Sequence, residues 1–162
     1  MLKEEVRPKV REMLETILNT SRAVLQDTRE HIPMFLIGKG DEILGQVMAP
    51  FRNAEEKKLV AEGVRKICTE FEADFVIFVA ESYAYSGPDT ESKIEQYGSI
   101  SKIPGCKEIL MIMYESDSYE VSVISEISKT EHFVSLTNTE WVVGDSKRGG
   151  MFSNLIPRKN WH

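Results

Sequence analysis

The chain has 162 residues, 41% of them hydrophobic and 28% charged, with a formal net charge of −6. That length and apolar share suit one soluble globular domain spanning 1–162 and exclude a disordered chain. The acidic balance argues against nucleic acid as a partner, and the absence of a long apolar run argues against a membrane-spanning segment.

Residues 1–30 read as an N-terminal amphipathic helix. Leu2, Val6, Val10, Met13, Leu14, Ile17, Leu18, Val24 and Leu25 recur at three- and four-residue steps. Pro8 suits a first helical turn, so the regular part is expected to begin near Arg7. The Asn19–Arg22 stretch is where a bend or a stop is expected. The charged N-terminal segment lacks the apolar centre of a secretory signal, which points to the cytoplasm.

Next, two apolar runs flank Gly38-Lys39-Gly40-Asp41, the pattern of a hairpin whose glycines permit a positive-φ turn. The spacing does not match a phosphate-binding loop. Asn53 has helix-capping spacing, and Leu59, Val60, Val64, Ile67, Cys68 and Phe71 keep helical period after it.

The stretch Phe75-Val76-Ile77-Phe78-Val79-Ala80 is apolar at every position. A strand without alternation has both faces covered, so a central place in the sheet is predicted. Strand, helix and strand in succession allow a parallel crossover between the second and third strands. A long loop is predicted over 82–107, far above the usual length, with one or two helical turns near "TESKIEQYG". Beyond it, Glu108–Ser116 and Tyr119–Ile127 form a hairpin. Strand material follows on either side of Asn138, and "MFSNLIP" reads as a last short strand. Glu115, Asp117, Glu120, Glu126 and Glu131 are expected on a solvated hairpin face. The predicted class is α+β: a two-layer domain with a mixed, mostly antiparallel sheet of five to seven strands and two main helices on one face.

Chemistry is harder to find. Cys68 and Cys106 are too few for a disulfide framework, and a reduced pair is the simpler reading, with Cys68 in the core. Pro88-Asp89 followed by Glu91-Ser92-Lys93 has the letters of a metal-dependent nuclease motif. That chemistry needs its carboxylates on adjacent strands, whereas these lie together in one loop. His31, His132 and His162 have no metal-ligand spacing. Glu81 is the stronger candidate, because the end of a central strand lies on the sheet rim. Its carboxylate would serve as a base, a metal ligand or an acceptor for loop backbone. Tyr83 and Tyr85 would share a face beside it, either contacting a ligand or anchoring the loop, and Asp89 completes the candidate ligand-binding set. Lys147, Arg148, Arg158, Lys159 and Trp161 form a basic tail, weak evidence for nucleic acid in an acidic chain.

From the second helix onward the chain resembles a group of small uncharacterised bacterial and phage-type proteins. The resemblance is carried by "ADFVIFVAESY" (73–83), the long loop, "IPGCKEILMIMYES" (103–116) and "GGMFSNLIP" (149–157). It departs at Gly105-Cys106, which stands in place of a more strongly charged stretch. It implies no activity and brings no catalytic residue. The leading expectation is therefore a small binding or accessory protein without catalytic activity and without a cofactor. A homo-oligomer through the N-terminal helix or a sheet edge goes with it. The alternative is a metal-dependent hydrolase acting on nucleotide or nucleic acid, with Glu81, Asp89 and Glu91 as ligands.

Overall fold

A computed structural model describes residues 6–144 and 155–156. Three helices and six strands follow one another as α1 (Pro8–Thr28), β1 (Met34–Lys39), β2 (Glu42–Met48), α2 (Ala54–Glu70), β3 (Phe75–Ala84), α3 (Thr90–Tyr97), β4 (Lys107–Ser116), β5 (Glu120–Lys129) and β6 (Val134–Gly144). The strands form one open sheet in the order β2-β1-β3-β4-β5-β6. The fold is α+β.

Every hydrogen-bonded neighbour in the sheet is antiparallel. The parallel crossover that the sequence allowed between the second and third strands holds in direction only. β1 lies between them, antiparallel to both, so α2 carries the chain across one strand rather than to an adjacent one. The mixed sheet of the sequence reading is thus antiparallel at each ladder.

β3 is central, and its lack of alternation has the predicted cause. Phe75, Ile77 and Val79 enter one core, together with Val10, Leu14, Ile17 and Leu25 of α1. Val76, Phe78 and Ala80 enter a second core with Ala61, Val64 and Cys68 of α2. The two main helices therefore cover opposite faces, and the domain has three layers. This corrects the expectation of two layers with both helices on one face. A strand buried on both faces already requires cover on both, and that requirement outweighs the simpler two-layer packing.

α1 starts with Pro8 in its first turn, where the missing N–H costs nothing. It runs unbroken through Asn19–Arg22, where a bend was expected. Ser21 sits on the buried face and its hydroxyl pairs with Nε2 of His31 at 3.1 Å, so it does not compete for helix backbone. Asn53 caps α2, its side-chain oxygen accepting from the Glu56 N–H at 2.8 Å. The strand material around Asn138 is one strand, β6, broken by a bulge. Asn138 has φ 51°, and the β5–β6 register shifts there by one residue.

Between β3 and β4 the predicted long loop holds α3 and a short 3-10 turn, Ile100–Lys102, with Ile103 buried beneath. Glu115 and Glu120 are buried, cross-strand partners on the α2 side of the β4–β5 hairpin. Only part of that hairpin's acidic set is therefore solvated. The Glu115 carboxylate accepts from the backbone N–H of Leu155, whose side chain fills the second core. The basic tail and most of the predicted last strand lie outside the described residues.

Candidate functional site

The rim at the end of β3 comes first, because the sequence points there. Glu81 continues the α1-facing series of Phe75, Ile77 and Val79, beyond the last core position. Its Oε1 accepts the backbone N–H of His31 at 3.0 Å, tying the α1–β1 connection to the sheet. Burial raises the Glu81 pKa above its ordinary 4.5; Lys129 and the His31 N–H pull it down, while Glu108 and Glu30 push it up. Lys129 also pairs with Glu108 at 3.5 Å. Around this point α1 is stitched to the β5–β6 turn. Gln26 accepts from Val134 N–H at 2.7 Å, and Arg29 donates to the Thr130 carbonyl at 2.8 Å.

His31 is buried beside this network. Its Nδ1 lies 3.1 Å from the Ile32 carbonyl and its Nε2 3.1 Å from the Ser21 hydroxyl. Since a carbonyl only accepts, Nδ1 carries the proton and Nε2 accepts from Ser21. Burial lowers the His31 pKa below 6.5, against the opposing pull of the Ile32 carbonyl, and keeps the ring neutral. Glu81 and His31 thus serve to hold backbone and side chains in place.

The other candidates at this rim stand apart from Glu81. Tyr83 faces solvent, 44% exposed. Tyr85 folds over its own loop: its hydroxyl donates to the Pro88 carbonyl at 3.3 Å, and its ring occupies the space a Cβ at Gly87 would need. That is loop anchoring. Asp89 precedes α3 with φ 57° and makes no side-chain cap, while Glu91 is exposed in the first turn. No hydrogen bond or ion pair links any two of Glu81, Tyr83, Tyr85 and Asp89. Among the described residues no group of three His, Cys, Asp or Glu is placed to share a metal ion.

The opposite end of the sheet holds a cleft of about 500 Å³, lined by Arg7, Gly40, Asp41, Asp74, Tyr114, Ser116, Asp117, Ser118 and Tyr119. That volume lies in the range of small-molecule sites. Asp74, just before β3, and Glu81 are separated by seven strand steps, about 23 Å. Each wall has a local cause. The Gly40 turn is pinned by its N–H donating to Oδ2 of Asp74 at 2.7 Å. The β4–β5 turn is closed by Ser116, whose N–H donates to the Tyr119 carbonyl at 3.0 Å and whose Oγ accepts from the Ser118 and Tyr119 N–H groups at 3.3 Å. Tyr114 and Tyr119 flank that turn, their rings 5.6 Å apart, and Phe75 stacks on Tyr114 at 5.4 Å. Arg7 leads into α1 and meets Asp41 at 3.7 Å, both half-exposed, so the pair itself adds little stability.

Electrostatically the cleft is fixed around neutral pH. Burial, reinforced by Tyr119 and opposed by Arg7, pushes the Tyr114 phenol up to about 12. Burial works against the charge on Arg7, but Tyr114, Tyr119 and Asp41 outweigh it and hold the guanidinium pKa above its ordinary range. The Tyr119 hydroxyl is buried with no hydrogen-bond partner. The lining therefore offers a permanent cation, carboxylate acceptors, hydroxyls and aromatic faces. Arg7 and Tyr114 keep their protons, and among the described residues no imidazole or thiol lines the cleft to serve as base or nucleophile. The sequence did carry a trace of the site: two tyrosines bracket the tight Glu115–Ser118 turn. Nothing in it showed that Arg7 and Asp74 would come to the same end.

No family model matches this chain, and no curated protein or solved structure does so either.

Proposed function

We propose that this chain is a small binding protein without catalytic activity, acting in the cytoplasm, whose ligand site is the cleft between Arg7, Asp74 and the β4–β5 turn. The observation that carries the reading is the buried, unpartnered Tyr119 hydroxyl beside the Arg7 guanidinium in a cleft of ligand-sized volume. A buried polar atom left unpaired costs about 1–3 kcal/mol, and such atoms concentrate where a structure is built for something other than stability. The mixture of donor and acceptor groups suits a small polar ligand bearing both kinds of group. The two free cysteines are in keeping with a reducing compartment.

A thermal-shift panel of amino acids, polyols, nucleotides and inorganic phosphate tests the reading. At least one class should raise the melting temperature of the wild type, and the shift should vanish in Arg7→Gln and weaken in Tyr119→Phe. A panel that leaves the wild type unmoved, or a shift that both variants retain, removes this cleft as the site.

A further inference from the structure

The end of the β4–β5 hairpin carries five of the nine residues that line the cleft: Tyr114, Ser116, Asp117, Ser118 and Tyr119. Side chains alternate across a strand, so the residue between Tyr114 and Ser116 points the other way. That residue is Glu115, buried on the α2 side. Glu120, which follows Tyr119, is its buried cross-strand partner. One short hairpin end therefore shows tyrosines to the cleft and glutamates to the opposite face of the sheet.

That opposite face is gripped from far along the chain. The Leu155 N–H donates to both carboxylate oxygens of Glu115, at 3.1 and 3.3 Å. The side chains of Leu155 and Ile156 are buried in the core with Ala61, Val64 and Cys68 of α2. The grip thus combines a buried, charge-assisted hydrogen bond with two aliphatic side chains removed from water. On the cleft side the turn has less to hold it. Ser116 Oγ accepts from the Ser118 and Tyr119 N–H groups at 3.3 Å each, which is long for a hydrogen bond, and the Tyr119 hydroxyl has no partner. A turn closed by its own serine keeps its shape only while its base is fixed, and Leu155 fixes the base without itself lining the cleft.

We propose that Leu155 and Ile156 are a latch behind the cleft. Docked on Glu115, they hold the β4–β5 turn in its ligand-ready shape; their release loosens the Tyr119 wall and lowers ligand affinity. Latch and ligand act on one element from opposite faces, so by linkage a ligand in the cleft tightens the latch in return. As regulation of binding, this rests on the reading of the cleft as a ligand site. The hold of the latch on the turn does not.

Amide hydrogen exchange on the full chain tests that hold. Leu155→Ala removes most of the buried side chain of the latch, while Val64→Ala removes bulk from the same core and leaves the latch in place. With the two variants brought to equal unfolding free energy by urea, the Ser116 N–H, which bonds the Tyr119 carbonyl at 3.0 Å, should exchange at least tenfold faster in Leu155→Ala. The milder Leu155→Val, for use if the alanine variant fails to fold, should show at least a twofold excess. Calorimetric titration with amino acids, polyols, nucleotides and inorganic phosphate supplies the second arm. A compound that the wild type binds should bind Leu155→Ala at least fivefold more weakly and Val64→Ala as before. Equal Ser116 exchange in the matched variants overturns the latch, and so does a bound compound whose affinity Leu155→Ala leaves untouched. A panel without any binder removes the cleft as a ligand site, and the exchange comparison then decides the latch by itself.

Discussion

Glu81 shows how a residue singled out in sequence as a ligand candidate takes on a structural bond in place. A carboxylate at the end of an apolar strand signals a rim position, and the rim is where the structure puts it. Only the fold reveals that its oxygen takes the His31 N–H. Its raised pKa has a definite consequence for stability. Protons are bound more readily in the folded state, so stability falls as pH rises from 4.5 through the folded pKa, and the cost persists above it. Glu81→Gln keeps the acceptor and removes the charge. It should match or exceed the wild-type melting temperature at pH 7, with the difference closing as pH falls below 4.5. Glu81→Ala should lose about 1–2 kcal/mol at either pH, because the His31 N–H is left unpaired. A Gln variant less stable than the wild type at pH 7 would show that Lys129, not burial, dominates. His31 has the opposite sign: its folded pKa is depressed, so the stability of the neutral ring is lost as pH drops below 6.5 toward that value. Its ring resonances should titrate with a midpoint below 6.5; a midpoint at or above 6.5 would contradict the buried, Nδ1-protonated ring.

At the scale of elements, what was legible depended on whether the signal was local. The cap of α2 was legible, because Asn53 and the turn after it carry the whole interaction. Asn53→Ala should cost about 1 kcal/mol in denaturant unfolding, and Asn53→Ser very little. A negligible loss in Asn53→Ala would mean that the Glu56 link to the Arg52 N–H (2.6 Å) holds the turn without the cap. The position of Asn138 was legible as a break, since Asn tolerates the left-handed conformation that the bulge needs. The neighbour of β3 was not, because a β-α-β run reads the same whether or not another strand intervenes. Nor was the burial of Glu115, which depends on Leu155, forty residues away in sequence. The cleft was hidden for the same reason. Its walls come from the entry to α1, the β1–β2 turn, the residue before β3 and the β4–β5 turn, segments that share no local pattern.

For the whole molecule, the three layers raise the question of whether the two cores are one cooperative unit. β3 answers it physically. Alternate residues of the same backbone serve each core, so neither can lose its centre while the other keeps its own. Its ladders to β1 and β4 bind the strands that do likewise: Leu36 and Leu110 face α1, while Phe35 and Met111 face α2. Urea unfolding followed by far-ultraviolet circular dichroism and by tryptophan fluorescence should therefore give one coincident transition. Leu14→Ala, in the α1 core, should lower stability by about 3 kcal/mol, and Val64→Ala, in the α2 core, by about 2 kcal/mol. Neither should split the transition. Because Leu14 and Val64 lie on opposite sides of the sheet, the double variant should show the sum of the two losses within about 0.5 kcal/mol. Two separated transitions, or an α2-side substitution that leaves the α1-side signal in place, would mean that each helix and its face of the sheet unfold independently. The shared strand would then be no more than a common wall.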